Sequence, residues 1–145
     1  MLRLAMLLLF LSLNSLAATS WQEEAKSLLP PPLSAFTSGV TTLATVEKAL
    51  GKAQLVNGSK HYWERDGLKY ALEITFKSKR LTSLHFTFTG NRPSFEKILK
   101  KVDLKKFGPH PTDGKSAGRY LKFNEKNSEI ILDPLSKTVY SVRLP

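Results

Sequence analysis

The residues best able to do chemistry in this chain are three histidines, a set of strand-borne carboxylates, one Gly-Lys-Ser triplet and a run of lysines. A metal pair or catalytic dyad needs its groups at spacings that one helix turn or one strand face brings together. His61, His85 and His110 stand far apart, with no nucleophile spaced to partner any of them. Glu64 and Asp66 share one face of an expected strand, with Glu73 across from them. Lys60, Arg65 and Lys69 crowd the same place, so cross-strand ion pairs explain these carboxylates better than acid–base catalysis. Gly114-Lys115-Ser116 ends like a phosphate loop, but that loop needs a glycine where Pro109 stands. The expectation is therefore a chain that is not an enzyme, with no catalytic set, no cofactor and no metal site.

Two other groups could bind rather than react. Arg92, Lys97, Lys100, Lys101, Lys105 and Lys106 crowd one short stretch. Lys97, Lys101 and Lys105 would share a stripe if that stretch is helical, and such a stripe suits an anionic surface. Nucleic acid is not expected, because stacking platforms are missing and only Phe107 is near. Tyr62, Trp63 and His85 are candidate protein-docking residues, since Tyr and Trp are enriched at interfaces. Trp63 suits the core equally well. His85 alternates with Leu84 and Phe86, which puts it on the polar side of a strand, whereas Tyr70 alternates with Leu72 and Ile74 and is expected inside.

The elements that must position these groups recur. Thr45 to Leu55 matches Ser94 to Leu104, and Ser78 to Phe86 matches Ser136 to Leu144, with a register shift of nine residues between the two matches. Val46, Ala49, Leu50 and Ala53 lie at helical spacing, as do Phe95, Ile98, Leu99 and Val102. Strands follow each helix. Lys60 to Asp66, Leu68 to Phe76 and Ser83 to Phe88 make the first set, and Arg119 to Phe123, Glu129 to Leu132 and Val139 to Leu144 make the second. Tyr140, Val142 and Leu144 are expected on one face. A helix with three strands cannot bury its own apolar faces, whereas two such units can pool theirs. The expected fold is α+β: two tandem α-β-β-β repeats forming one mainly antiparallel sheet of about six strands, with helices on one face and the other face partly open. Repeat 1 spans 39–90 and repeat 2 spans 91–145, preceded by an N-terminal helix and a stiff Pro-rich linker over 18–38.

Residues 1–17 read as a secretory signal peptide. Arg3 supplies the charge, Leu4 to Leu13 the apolar run and Ser15-Leu16-Ala17 the small cleavage-site residues, with cleavage after Ala17 or Ala18. The apolar run is short for a membrane span, so no transmembrane segment is expected after cleavage. Of 145 residues, about 128 would remain, enough for one domain. The chain carries no cysteine, which excludes disulfides, thiol chemistry and a lipid anchor on an N-terminal cysteine. Its formal charge of +10, or +9 without Arg3, favours anionic partners. The expected location is periplasmic or secreted.

Gly39-Val40-Thr41-Thr42, Val46, Leu50-Gly51 and the following Trp63 together resemble the motif of the SmpA/OmlA family of small outer-membrane proteins. That domain belongs to the barrel assembly machinery and shares an architecture with beta-lactamase inhibitor proteins, whose tandem repeats this chain is similar to. The resemblance implies the fold and a tendency to bind proteins through an exposed sheet face. Departures are the missing lipid-anchor cysteine and disulfides, Ala53 where a proline usually follows, and Lys100 in place of the glycine in the second copy. The partners of either family therefore do not carry over. The functional expectation is an exported binding module that docks a protein in the cell envelope. The alternative is a cationic envelope protein that holds anionic lipid or cell-wall polymer through the lysine-rich helix.

Overall fold

Helix formation begins where a side chain can satisfy the free N–H groups of a first turn. Ser20 does this for α1 (Trp21–Leu28), accepting from the Glu23 N–H at 3.3 Å. Leu29, extended before Pro30, ends the helix. The computed structural model describes residues 20–66, 69–110 and 119–145. The signal-peptide residues 1–17 and the Gly-Lys-Ser triplet lie outside these.

The expected N-terminal helix is present, but the stretch that follows it is not a bare linker. Trp21, Ala25, Leu29 and Leu33 follow one another at intervals of four, and all are buried, as is Phe36. They belong to the same core cluster as the strands. The prolines turn the chain after α1, but the side chains between them pack inward. The segment expected before the domain is thus part of its core.

α2 (Leu43–Leu50) is capped by Thr42, whose hydroxyl accepts from the Thr45 N–H at 3.2 Å. Val46 is fully buried, with Leu50 and Ala53 packed at the margin of the core. Gly51 closes the helix at φ 79°, ψ −178°, a conformation open essentially to glycine alone. A Cβ there would meet no neighbour within 4 Å, so strain is the whole cost of adding one. Gly51→Ala is expected to lower stability by about 1–3 kcal/mol, read from the shift of the urea unfolding midpoint.

α3 (Glu96–Leu99) is a single turn, shorter than the sequence periodicity predicts. Phe95, Ile98 and Val102 are buried, but the chain leaves the helix after Leu99. Asp103 then caps a separate 3-10 turn over Leu104–Lys106, accepting from the Lys105 N–H at 2.9 Å.

The strands form one antiparallel sheet: β1 (Leu55–Asn57), β2 (Lys60–Asp66), β3 (Lys69–Lys77), β4 (Arg80–Thr87), β5 (Gly108–Pro109), β6 (Leu121–Glu125), β7 (Ser128–Asp133) and β8 (Thr138–Leu144). Their order is β1-β2-β3-β4-β8-β7-β6-β5, so each half runs outward in the same sequence from the β4–β8 pair. The sheet has eight strands rather than the expected six. The two additions, β1 and β5, span three and two residues, too short to show alternation. Each half carries a register shift at the same place, between Thr75 and Phe76 and between Ile131 and Leu132.

Trp63, Leu72, Ile74, Phe76, Leu84, Phe86, Ile130, Leu132, Val142 and Leu144 face the core, together with Val46 and Ile98 from the helices. The opposite sheet face is polar. Val139, not Tyr140, joins Val142 and Leu144 inside, because the bulge in β8 inserts Tyr140 as an extra residue and turns it away.

Candidate functional site

Cross-strand pairing lines up one row on the polar face: Tyr62, Glu73, His85, Arg143, Glu129 and Asn124, taken across β2, β3, β4, β8, β7 and β6. The two central residues, His85 and Arg143, occupy matching positions in the repeated sequence. Glu73 and Glu129 flank them, and each holds a lysine at 3.5 Å: Lys60 for the first, Lys122 for the second. Arg143 reaches Glu73 at 3.6 Å and donates from Nη2 to His85 Nδ1 at 3.3 Å.

That hydrogen bond leaves the His85 proton on Nε2, since Nδ1 accepts. Burial lowers the His85 pKa, Arg143 lowers it further, and the opposing pull of Glu73 is smaller. His85 is therefore neutral at pH 7, and its Nε2 is buried without a partner. The half-buried row is charge-compensated rather than acidic or basic.

Aromatic side chains surround the row. Tyr62 and Tyr70 meet at 5.4 Å between ring centroids, and Tyr120 and Tyr140 at 4.5 Å. These are all four tyrosines of the chain. Tyr70, expected in the core, instead sits half-buried beside Tyr62. Trp63 takes the reverse course. It is only 3% exposed and its indole N–H donates to the Gly51 carbonyl at 3.1 Å, so it holds the core against α2 and has no surface with which to dock. Two of the three expected docking residues, Tyr62 and His85, thus meet on one face.

A basin of about 450 Å³ opens over the row, lined among others by Tyr62, Tyr70, His85, His110, Tyr140 and Arg143. A second pocket of about 320 Å³ shares Tyr70, Thr87 and Tyr140 with it and ends at Arg92. Arg92 lies over the Tyr140 ring at 4.9 Å. Its Nη1 donates to Asp133 Oδ2 at 3.1 Å, and Arg119 donates to the same oxygen at 2.9 Å. Asp133 is fully buried.

The expected basic cluster divides. Lys97, Lys100, Lys101, Lys105 and Lys106 are all exposed, but they do not share one helical stripe. A single turn ending at Leu99 and a separate 3-10 turn carry them, so no continuous helix sets their spacing, although Lys101 and Lys106 line the same shallow pocket. Arg92 leaves the group altogether for Asp133 and Tyr140.

Glu73 is held in ion pairs, and Glu64 is exposed on a residue with φ 55°. Among the described residues no group of three His, Asp or Glu could hold a metal ion. Arg143, Glu129, Arg119 and Asp133 were not singled out from sequence. A signal existed for Arg143, because the repeat match sets it directly against His85.

No protein-family model matches the chain, and no curated protein sequence matches it. Among solved structures it is similar to a cysteine-rich secretory protein from Staphylococcus aureus, at 15% identity and a TM-score of 0.44. The match covers 76% of this chain and 44% of that one, so this chain spans less than half the length of that neighbour.

Proposed function

We propose that the protein is an exported, non-enzymatic binding module that docks a protein partner in the cell envelope through the polar face of its sheet. The observation that carries this reading is the gathering of Tyr62, Tyr70 and Tyr140 around the Glu73–His85–Arg143–Glu129 row, with Tyr120 packed on Tyr140. Tyrosine supplies large contact area with a polar tip at low entropic cost, and compensated charges lend direction without a large field. The resemblance to a family with exposed, protein-binding sheet faces agrees with it. Among the described residues no helix is long and apolar enough to cross a membrane.

Capture from cell-envelope extract tests the reading, using the chain from Ala18 and washes at low and high salt. A specific protein retained at high salt is the expected result, and retention should fall about tenfold with Tyr62→Ala. Tyr62 is half-exposed and outside the core, so the variant should fold as the parent does. No protein retained at high salt would overturn the reading.

The second reading rests on the five exposed lysines from Lys97 to Lys106. Attraction by exposed lysines is screened beyond roughly 10 Å at 0.1 M salt. Capture that survives low salt only, releases lipid or polymer, and disappears when Lys97, Lys101 and Lys105 become glutamine would favour a charge-driven envelope binder.

A further inference from the structure

We propose that the pocket ending at Arg92 is a receptor for a single carboxylate, contributed by an acidic side chain of the docked protein. The proposal rests on the docking reading and names the chemistry of the partner at one point of the face. The pocket holds about 320 Å³ and is lined by Tyr70, Ala71, Thr87, Phe88, Thr89, Gly90, Arg92 and Tyr140. Its lining contains one cation, four hydroxyl-bearing side chains and no acid. The neighbouring basin, by contrast, includes Glu73 and Glu129 in its wall.

Local charge sets the ligand class. Arg92 and Arg119 share one carboxylate, Asp133, through the same oxygen. Two guanidiniums against one buried carboxylate leave one positive charge over. A monoanion balances it, whereas a phosphate dianion would leave a negative excess in a half-buried site. Arg92 spends one Nη1 hydrogen bond on Asp133, and a guanidinium has five N–H donors in a fixed fork. The remaining donors match the two oxygens of a carboxylate. The Tyr140 ring beneath Arg92 and the anchor at Asp133 hold the guanidinium in place before any ligand arrives, which lowers the ordering cost of binding. Ala71 and Phe88 offer apolar surface beside it, suited to the methylenes of a glutamate.

The test is a titration of the isotope-labelled chain from Ala18, followed by NMR at the Gly90 amide and the Arg92 Nε. The probe is a blocked tripeptide with a central glutamate, compared with its central-glutamine counterpart and with inorganic phosphate. Saturable shifts at both nuclei with the glutamate peptide are expected, at least tenfold weaker with the glutamine peptide. Arg92→Gln should abolish the saturation at Gly90. Thr89→Val, which leaves the Asp133 anchor untouched, should weaken binding several-fold and guards against a folding defect in the first variant. No saturation in the parent chain, equal response to both peptides, preference for phosphate, or binding that survives Arg92→Gln would each overturn the proposal. The docking reading stands or falls separately on the capture experiment, which uses none of these probes.

Discussion

Trp63→Ala should lower the stability of the protein by about 3–5 kcal/mol, measured as the shift of the urea unfolding transition. The side chain is 3% exposed and sits in the central cluster, so its removal leaves a large cavity. It also orphans the Gly51 carbonyl, which now accepts from the indole at 3.1 Å. That carbonyl belongs to the residue closing α2, so one substitution loosens both the helix terminus and the β2 strand. His61 stacks on the indole at 6.0 Å and would lose that neighbour as well. Trp63→Phe should recover most of the packing but not the hydrogen bond, and should fall between the two. A Trp63→Ala chain as stable as the parent would mean that the indole is not a core residue.

Asp133→Asn is the second large effect, about 2–3 kcal/mol at neutral pH, because hydrogen bonds to a charged group are the strong ones. The carboxylate ties together three stretches of chain far apart in sequence. Oδ2 receives Arg92 from before α3 and Arg119 from before β6. Oδ1 receives the backbone N–H groups of Leu135 and Ser136 at the turn into β8, at 3.1 and 3.4 Å. Burial by itself would raise the Asp133 pKa, but the hydrogen bonds from Arg119 and Ser136 outweigh it and hold the group below its ordinary value. The folded pKa is thus depressed relative to the unfolded value of about 3.9. The stability this provides is complete above that unfolded value and is lost as pH falls through the folded one. Urea midpoints for the two chains should therefore differ most at pH 5–7 and converge in strong acid. A constant gap across the whole range would show that Asp133 contributes through its shape and not through its charge.

Particular residues explain why some of this was readable in advance. The strand Lys60 to Asp66 was legible to its ends because turn signals bound it on both sides. The α+β class and the antiparallel sheet followed from helical and alternating periodicities that a short chain must bury somewhere. Tyr140 was misplaced because strict alternation cannot see a bulge, and the bulge in β8 moves it from the core to the polar face. Tyr70 deceived for a related reason: the alternation with Leu72 and Ile74 is real, but near the strand end the ring lies against Tyr62. The helix from Trp21 is legible in the sequence, but the stretch from Pro30 reads as a linker because prolines speak about the backbone and are silent about which side chains pack. The lysine stripe assumed helix to Lys105, and nothing in a charged run reports where tertiary packing stops a helix after Leu99. The candidate face was half legible: Tyr62 and His85 were visible as strand residues, but Arg143, which bonds His85, comes from the other half of the chain.

The two outermost strands have a consequence for how this protein can be held. A partner that extends a sheet needs a run of free backbone donors and acceptors along an edge. Here one edge is three residues of β1, and the other is Gly108–Pro109, where proline has no N–H to give. Among the described residues neither outermost strand is itself long enough to template a foreign strand, and each covers only one end of its neighbour, residues 60–62 of β2 and 121–122 of β6. On the docking reading proposed above, recognition is broadside, by side chains rather than main chain. Specificity is accordingly written in replaceable residues, and evolution or an engineer could retarget the module without disturbing a single hydrogen bond of its sheet.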